Sequence, residues 1–341
     1  MKKIAILSFY HGNKNRGVES WVSGLEKNLS KEFDIRIFSS KDSKITVDWK
    51  KEIDKRSILR RYFFDYWSLK IFEFNLRILR SLFIFSPDIV LATDGGWEVG
   101  LIRIFCWLTF SKMVIVGQAG IGFDEYNNLF SFPDVFVALT EKATKWARRT
   151  NPFIKVIRIP NAVDTNLFTQ VKRTPTKNVN ILSVGALEKG KRHDLIINAV
   201  SKIPNANLTI VGEGVEKENL IKLSNEVKLE MEIKSVEHSK IYKEFEKADL
   251  FVSASESYYA FEIVLIEALA TNLPVVANND EIRKEIVEDA GKLVDVTNVS
   301  EFSKAIKEVL NINWKDIPRR QSEKFSWNVV ARKYSEFFNN L

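Results

Sequence analysis

Short runs of β-branched and apolar residues alternate with helical patterns along this chain, and the alternation occurs twice. In the first half, the predicted strands begin at Lys3, Asp34, Asp88, Met113, Asp134 and Lys155. In the second half, they begin at Asn180, Asn207, Leu229, Asp249 and Pro274. Continuous apolar strands separated by helices are typical of parallel sheets that are covered on both faces. The sequence therefore predicts an α/β protein with two doubly wound domains.

Length and composition agree with two hydrophobic cores. The chain has 341 residues, of which 45% are hydrophobic, and a chain of this length usually divides into more than one domain. The polar stretch over residues 169–177 separates the two alternations and predicts a linker. We therefore expect a first domain over residues 1–168 and a second over residues 178–325.

Several broad classes of protein are disfavoured. Cys106 is the single cysteine, which excludes an intrachain disulfide and favours a reducing compartment, so we expect a cytoplasmic protein. The apolar run that follows Met1 is too short for a signal peptide and predicts a buried strand. No stretch of the sequence is both long enough and free enough of charge to span a membrane.

The formal charge of +7 is concentrated in the first half, since residues 1–169 carry eight more basic than acidic side chains. Within residues 55–85, seven basic residues are interleaved with nine aromatic ones. This composition resembles a membrane-surface helix and suggests a peripheral contact with anionic lipid on the inner face of the membrane. The alternative is a pair of ordinary helices covering a sheet, with basic stems lying along the aromatic rings. Nucleic-acid binding is disfavoured, because the basic residues are embedded in an apolar surface.

The segment from Phe261 to Asn278 predicts a helix that is apolar on nearly every face, followed at once by a short strand. A helix of this kind is normally buried, and the carboxylate of Glu267 interrupts it. A buried glutamate needs a partner, which is either a cation or a ligand rich in hydroxyl groups. We predict that Glu267 meets a ligand.

Ligands of open parallel sheets bind beyond the carboxyl ends of the strands, and no cofactor motif is found there. The nearest match to a dinucleotide-binding fingerprint, Gly212-Glu213-Gly214, lacks the third glycine and follows an internal strand. The sequence has no Walker-type loop and no two aspartates separated by a single residue, and its three histidines are scattered. We therefore expect neither a cofactor nor a bound metal.

Seven short motifs occur along the chain in the order that a known family has them. They are Gly17-Val18-Glu19, Pro160 to Asp164, Ser183 to Leu187, Lys191 before Asp194, Ile210 to Gly214, Ala248 to Val252, and Phe261 to Ala277. Together they resemble the retaining glycosyltransferases of family four, the glycosyl transferases group 1. The resemblance covers almost the full chain and implies the GT-B fold, in which two Rossmann-like domains face each other across a cleft. It also implies that a C-terminal helix over residues 326–341 crosses back to the first domain.

The resemblance places a nucleotide-sugar donor on the second domain. Glu267 matches the glutamate that accepts hydrogen bonds from the nucleotide ribose, and a carboxylate suits adjacent hydroxyls because it has two acceptor oxygens. Lys191 matches the lysine that meets the donor diphosphate, where a cation stabilises the leaving group. The alternatives are a core ion pair for Glu267 and a solvated loop for Lys191. The full set of expected donor contacts is Gly17, Lys191, Arg192, Gly212, Glu213, Tyr259, Ala260, Phe261, Glu262, Ile263 and Glu267.

The chain departs from the family pattern at several positions. Tyr259 stands where the family has the first glutamate of a pair, and Ala186 replaces an arginine that binds the diphosphate. Gln118 occupies the position of a histidine near the reacting sugar, and Asn272 replaces a glycine. Tyr259 supplies no charge and Gln118 relays no proton, so these two changes leave donor identity and activity open. The change at Asn272 is mild, because Asn tolerates a left-handed turn.

Acceptor-side candidates lie in the first domain. Gln118 and Asp124 are the predicted catalytic residues, Asp124 as a base for the acceptor hydroxyl and Gln118 as a hydrogen-bonding group. Asp94, Gly95 and Glu125 are expected on the acceptor side. The alternatives are a turn cap for Asp124 and an ordinary glycine turn after Asp94.

These assignments predict an enzyme that transfers a hexose from a UDP- or GDP-linked donor to an acceptor hydroxyl, with retention of configuration and without a metal. A lipid-linked or surface glycan is the expected acceptor, because the basic aromatic stretch suggests a nearby membrane. Two alternatives remain. One is a sugar-nucleotide epimerase of the same fold, with Asp124, Glu125 or His11 as acid and base, and the other is a degenerate, non-catalytic subunit that binds nucleotide-sugar.

Overall fold

The computed structural model describes residues 1–13, 17–43, 45–49, 51, 58–173, 178–258 and 261–341. The chain divides into two compact units. Unit 1 contains Met1–Pro160 and Val330–Leu341, and unit 2 contains Asn161–Val329. The last four residues of the expected linker, 174–177, lie outside the described residues, and the domain boundaries expected from the sequence stay a prediction.

Unit 1 is built on a six-stranded sheet in the order β2-β1-β3-β4-β5-β6, and all of its strand pairs are parallel. The strands are β1 (Lys3–Leu7), β2 (Asp34–Phe38), β3 (Ile89–Ala92), β4 (Lys112–Val116), β5 (Val135–Ala138) and β6 (Lys155–Arg158). The helices are α1 (Gly17–Leu29), α2 (Ile58–Arg61), α3 (Tyr66–Phe85), α4 (Trp97–Thr109), α5 (Phe123–Phe130) and α6 (Glu141–Thr150). Every strand predicted for the first half of the chain is therefore present.

The long helix α3 covers one face of this sheet. It begins after Asp65, whose carboxylate accepts hydrogen bonds from the amides of Trp67 and Ser68, as an N-cap residue does. Its apolar face, which includes Trp67, Phe74 and Leu82, packs into the core of unit 1. This packing agrees with the ordinary-helix interpretation of the basic aromatic stretch. Residues 55–57 of that stretch lie outside the described residues, and its contact with lipid stays a prediction.

Unit 2 contains a second six-stranded parallel sheet, in the order β12-β11-β10-β7-β8-β9. The strands are β7 (Val179–Val184), β8 (Ala206–Val211), β9 (Met231–Lys234), β10 (Leu250–Ser253), β11 (Val275–Asn278) and β12 (Gly291–Val294). The helices are α7 (His193–Val200), α8 (Lys217–Glu226), α9 (Tyr242–Lys247), α10 (Ile263–Ala270), α11 (Glu281–Val287), α12 (Val299–Leu310) and α13 (Ile317–Glu323). A last helix, α14 (Trp327–Asn339), begins in unit 2 and ends in unit 1.

The sequence predicts five of these six strands and misses β12. This strand lies at the edge of the sheet, where it pairs with β11. Its four residues are all half-buried and include Lys292. A short edge strand with a lysine inside it carries too weak an apolar pattern to be recognised.

Two glycines bring the carboxyl ends of β7 and β8 together. A Cβ atom on Gly212 would lie 1.9 Å from the backbone oxygen of Gly185. A Cβ on Gly214, whose φ is +154°, would lie 2.4 Å from the backbone oxygen of Leu187. The amide of Leu187 in turn donates a hydrogen bond to the carbonyl of Glu213 at 2.8 Å. The two loops therefore pack backbone against backbone, which only glycine permits.

Across the described ranges, none of the helices has the length and apolar character needed to cross a bilayer. The same residues contain no group of three His, Cys, Asp or Glu side chains arranged to hold a metal ion.

Candidate functional site

The helix α10 is buried as its sequence predicts. Leu265, Ile266, Ala268 and Leu269 have no exposed surface, and Glu267 is only 2% exposed. The prediction that a carboxylate lies inside this apolar helix is therefore confirmed. That Glu267 contacts a nucleotide ribose stays a prediction.

A network of charged side chains lies at the start of α10. Glu262, the residue before the helix, accepts a hydrogen bond from Lys191 Nζ at 2.8 Å through Oε1. Its Oε2 accepts from Arg283 Nη2 at 2.8 Å and from Ser253 Oγ at 3.2 Å. Arg283 also donates from Nη1 to Asp280 at 2.7 Å. The network alternates two carboxylates with two cations, so its charges balance.

The order of the strands explains why these residues meet. Lys191 follows β7, Glu262 follows β10, and Arg283 follows β11. These three strands are neighbours in the sheet of unit 2. Because the strands are parallel, their carboxyl ends lie at one edge, where ligands of such sheets bind.

Electrostatics keep the network ionised. Burial alone would raise the pKa of Glu262, but the charges of Lys191 and then Arg283 outweigh it and hold the pKa well below its usual range. Burial would lower the pKa of Arg283, and the nearby Glu262 and Asp280 raise it instead. A carboxylate with these partners stays charged at every physiological pH.

The segment that carries Lys191 leads directly into α7. Residues 189–191 form a single 3-10 turn, and Arg192 has a left-handed backbone with φ of 51°. The Nε atom of Arg192 is buried without a hydrogen-bond partner among the described residues. His193 is buried beside Ser183, and burial followed by the charge of Lys191 lowers its pKa to about 4. His193 is therefore neutral at pH 7, and the cations of this segment are Lys189, Lys191 and Arg192.

The remaining predicted donor contacts are distributed around these loops. Gly212 directly follows β8 and makes the close approach described above, and the side chain of Glu213 is exposed. Phe261 is buried against Phe325, with ring centroids 5.5 Å apart, and Ile263 is the first residue of α10. Tyr259 and Ala260 lie outside the described residues. Gly17, in unit 1, is the first residue of α1.

A second group of predicted residues lies at the carboxyl ends of β1, β3 and β4, which are neighbours in the sheet of unit 1. Asp94 accepts a hydrogen bond from the amide of Phe9 at 2.9 Å through Oδ2. A Cβ on Gly95 would lie 3.0 Å from Oδ1 of Asn128. Asn128 in turn donates to Oε2 of Glu125 at 3.0 Å. The structure therefore brings Asp94, Gly95 and Glu125 together, and their place on the acceptor side stays a prediction.

The two adjacent acids at the start of α5 have different environments. The side chain of Asp124 is about half exposed and lies 3.6 Å from Arg60. Glu125 is buried, and its Oε1 accepts from the amide of Ala119 at 2.9 Å. Burial raises the pKa of Glu125 to about 7. Gln118 lies just after β4, one residue before Ala119, so Glu125 holds the loop that carries Gln118.

One acid of this region was not predicted. Glu98 in α4 is fully buried, and its Oε1 accepts from the amide of Asp94 at 3.2 Å. Burial, and then the charge of Asp94, raise its pKa well above the usual value. Its sequence signal is similar to the one that identified Glu267, an acid inside a largely apolar helix, although α4 also contains Arg103.

The second half of the chain matches a known family. Residues 164–325 match the sequence profile of the glycosyl transferases group 1. One relative is the N-acetylgalactosamine-N,N'-diacetylbacillosaminyl-diphospho-undecaprenol 4-alpha-N-acetylgalactosaminyltransferase of Campylobacter jejuni. It is 34% identical over 157 residues, which cover 44% of this chain and 43% of that protein. The chain spans about half the length of the curated relatives it matches.

Solved structures resemble the whole chain. The sucrose-phosphate synthase of Thermosynechococcus elongatus has a TM-score of 0.78 at 16% identity and covers 100% of this chain and 99% of that one. Anabaena Alr3699/HepE, solved in complex with UDP and glucose, has a TM-score of 0.74 at 14% identity, with both chains covered completely. At such identities the likeness concerns the fold alone, and it confirms the predicted pair of Rossmann-like domains.

Proposed function

We propose that this chain, whose residues 164–325 match the glycosyl transferases group 1 and which has the GT-B fold, transfers a sugar from a nucleotide-sugar to an acceptor hydroxyl. The observation that carries the proposal is the edge of the sheet in unit 2. There a buried acid, Glu267, lies in the helix that follows β10, and the cations Lys191 and Arg192 follow the neighbouring β7. Acceptor oxygens for ribose hydroxyls and cations for a diphosphate are what a nucleotide-sugar requires.

The donor contacts follow from this arrangement. Lys191 and Arg192 bind the diphosphate, and the amides of the first turn of α10 add to the positive potential there. As the glycosidic bond breaks, the cations stabilise the charge that develops on the departing phosphate. Glu262 already occupies Lys191, so the phosphate has to compete with a carboxylate that the protein itself supplies.

The finer features of the reaction rest on the resemblance in sequence motifs. We propose that the transferred sugar is a hexose, that the nucleotide is UDP or GDP, and that the anomeric configuration is retained without a metal. The complex of Alr3699/HepE with UDP and glucose supports a UDP-linked hexose as the first donor to try. Retention follows if the acceptor attacks from the face that the nucleoside diphosphate leaves, with the departing phosphate aiding removal of the proton.

We propose that the acceptor is a lipid-linked or surface glycan at the inner face of the membrane, with the protein in the cytoplasm. The name of the Campylobacter relative, which includes a diphospho-undecaprenol acceptor, supports this class. In unit 1, Gln118 and Asp124 act on the acceptor hydroxyl, while Asp94, Gly95 and Glu125 shape its surroundings. Asp124 is the more accessible of the two acids of α5. The basic aromatic stretch over residues 55–85 provides the membrane contact.

The test is a thermal-shift panel of UDP- and GDP-linked hexoses. A ligand that binds only the folded protein raises the melting temperature, so the true donor should raise it for the wild type. Glu267→Ala and the closer mimic Glu267→Gln should both remove the shift. Glu301→Ala, which changes an acid in the first turn of α12, should leave it intact. An unchanged shift in both Glu267 variants contradicts the donor assignment.

One observation favours a second candidate, a non-catalytic subunit that binds nucleotide-sugar. The cation expected to meet the diphosphate, Lys191, is paired with a buried carboxylate, which weakens its help to a leaving group. The two candidates differ in turnover. Release of nucleoside diphosphate in the presence of a lipid-linked acceptor supports the transferase, and donor binding without release supports the subunit. Interconversion of UDP-sugars without any acceptor identifies an epimerase instead.

A further inference from the structure

Three successive helix-to-strand connections of unit 1 each carry an exposed phenylalanine. Phe110 is 93% exposed, Phe132 is 49% exposed and Phe153 is 87% exposed. They precede β4, β5 and β6, which are neighbours in the sheet. In a parallel sheet, the connections that lead into the amino ends of the strands all lie at the same end of the sheet, and adjacent strands are about 4.8 Å apart. The three rings therefore lie along one edge of the sheet, at the amino ends of its strands.

The last turns of two helices extend this apolar surface. Phe83 and Ile84 lie in the last turn of α3, and Trp107 and Leu108 lie in the last turn of α4. All four side chains are exposed. The two helices meet here, since the rings of Phe83 and Phe105 are 4.9 Å apart. We name this surface the aromatic edge; it consists of Phe83, Ile84, Trp107, Leu108, Phe110, Phe132 and Phe153.

Two of these phenylalanines have an unfavourable backbone conformation. Phe110 has a φ of 58° and Phe132 has a φ of 54°, a left-handed conformation that glycine adopts without strain. A phenylalanine there strains the backbone, and neither side chain is buried in return. An apolar residue that is both strained and exposed points to a partner outside the chain.

Charge identifies the kind of partner. Arg149, in the last turn of α6, and Lys155, the first residue of β6, are exposed at the same edge. Asp134, the acid that precedes β5, is engaged, since it lies 2.7 Å from Arg103 and 3.6 Å from Lys112. A second copy of the chain would oppose this basic surface with another basic surface. A bilayer with anionic headgroups instead offers both an apolar interior for the rings and negative charge for the cations.

We propose that the aromatic edge is a docking surface for an anionic lipid bilayer. The inference adds a second surface to the membrane contact of the proposed function, and it needs neither donor nor acceptor. It also differs from the contact through residues 55–85, of which only the last turn of α3 belongs to the aromatic edge. The candidate residues Asp94, Gln118 and Glu125 follow the carboxyl ends of the strands, so docking through the amino ends does not cover that end of the sheet.

The experiment is flotation of the full chain with vesicles of phosphatidylglycerol and phosphatidylcholine, compared with vesicles of phosphatidylcholine alone. The wild type should float with the anionic vesicles only. The triple variant F110G/F132G/F153S should bind at least about tenfold more weakly. Glycine relieves the left-handed backbone at the first two positions, so F110G/F132G should melt no lower than the wild type. A mere loss of fold would lower the melting temperature.

Two further variants complete the test. V215S/I312S removes exposed apolar side chains from unit 2 and should leave vesicle binding unchanged. R149E/K155E reverses the charge of the aromatic edge without touching its rings and should weaken binding to anionic vesicles by a similar factor. Failure of the wild type to bind anionic vesicles overturns the proposal. Undiminished binding by both edge variants, or a dimer that only the edge variants abolish, overturns it as well.

Discussion

The ammonium group of Lys191 lies 2.8 Å from Oε1 of Glu262, although the two residues are 71 positions apart in the chain. Arg283 holds the other oxygen of the same carboxylate. The cation that the proposed donor needs is therefore neutralised within the protein before any ligand arrives. A diphosphate that binds Lys191 competes with Glu262 for the ammonium group, while Arg283 holds the other oxygen of the same carboxylate.

The first prediction concerns the stability that this network provides. Glu262→Gln removes the buried countercharge that Lys191 and Arg283 share, although Asp280 remains beside Arg283, so the free energy of unfolding should fall by about 3 kcal/mol. The pKa of Glu262 is held below that of a free glutamate, which is about 4.3. The ionised carboxylate of Glu262 thus contributes fully to stability above about pH 4.3, and this contribution is lost as the pH falls toward the folded-state pKa. Urea unfolding at pH 7, 5 and 3 measures both effects.

A matched control is Glu232→Gln, which removes one partner of the exposed pair with Lys234. That change should cost at most about 1 kcal/mol, since exposed ion pairs contribute little. The wild type should also lose more stability than Glu262→Gln between pH 5 and pH 3. Equal costs for the two variants at pH 7 would show that the buried network is not stabilising.

The second prediction concerns Glu125, whose pKa burial raises to about 7. The folded-state pKa of Glu125 exceeds the unfolded value of about 4.3. Its protonated carboxyl therefore contributes fully to the free energy of unfolding below about pH 4.3, and this contribution is lost as the pH rises through 7. Over this range the free energy of unfolding of the wild type should fall by about 3 kcal/mol more than that of Glu125→Gln. Denaturant unfolding of both proteins between pH 4 and pH 8 measures the difference.

Glu141→Gln serves as the control for this pH dependence. Glu141 is nearly half exposed and pairs with Arg158 and Lys145, so its removal should leave the pH profile of the wild type almost unchanged. If the wild type and Glu125→Gln follow parallel profiles over the whole range, Glu125 has the same pKa in the folded and unfolded states and the assigned shift is wrong.

The third prediction concerns the close approach of β7 and β8. Gly212→Ala places a Cβ 1.9 Å from the backbone oxygen of Gly185, and neither backbone can yield without moving a strand end. We expect a loss of about 3 kcal/mol or more in the free energy of unfolding, together with loss of the nucleotide-induced thermal shift. Thermal and denaturant unfolding measure the first effect, and the donor panel measures the second.

Gly100→Ala is the matched control for this substitution. Gly100 lies inside α4, and no atom lies within 4 Å of its added Cβ. Alanine there should raise stability by about 0.5–1 kcal/mol, because it restricts the unfolded chain and favours the helix. A Gly212→Ala variant as stable as Gly100→Ala would mean that the two loops are not packed as the structure has them.

Much of the architecture is determined by the sequence. The strands β1 to β11 are predicted because each is a short apolar run bounded by polar or turn residues, which is a local pattern. The burial of Glu267 is predicted in the same way, since an all-round apolar helix has no face for water. The left-handed φ of 60° at Asn272 agrees with the expectation that Asn replaces a glycine there.

The identity of each charged partner is decided only by the tertiary structure. The sequence singles out Glu267 as the buried acid, yet the described ion pairs at this edge belong to Glu262, with Lys191 and Arg283. These three residues follow β7, β10 and β11, whose adjacency depends on the order in which the strands assemble. Local patterns determine that a strand forms, whereas its neighbours depend on contacts between residues that are distant along the chain.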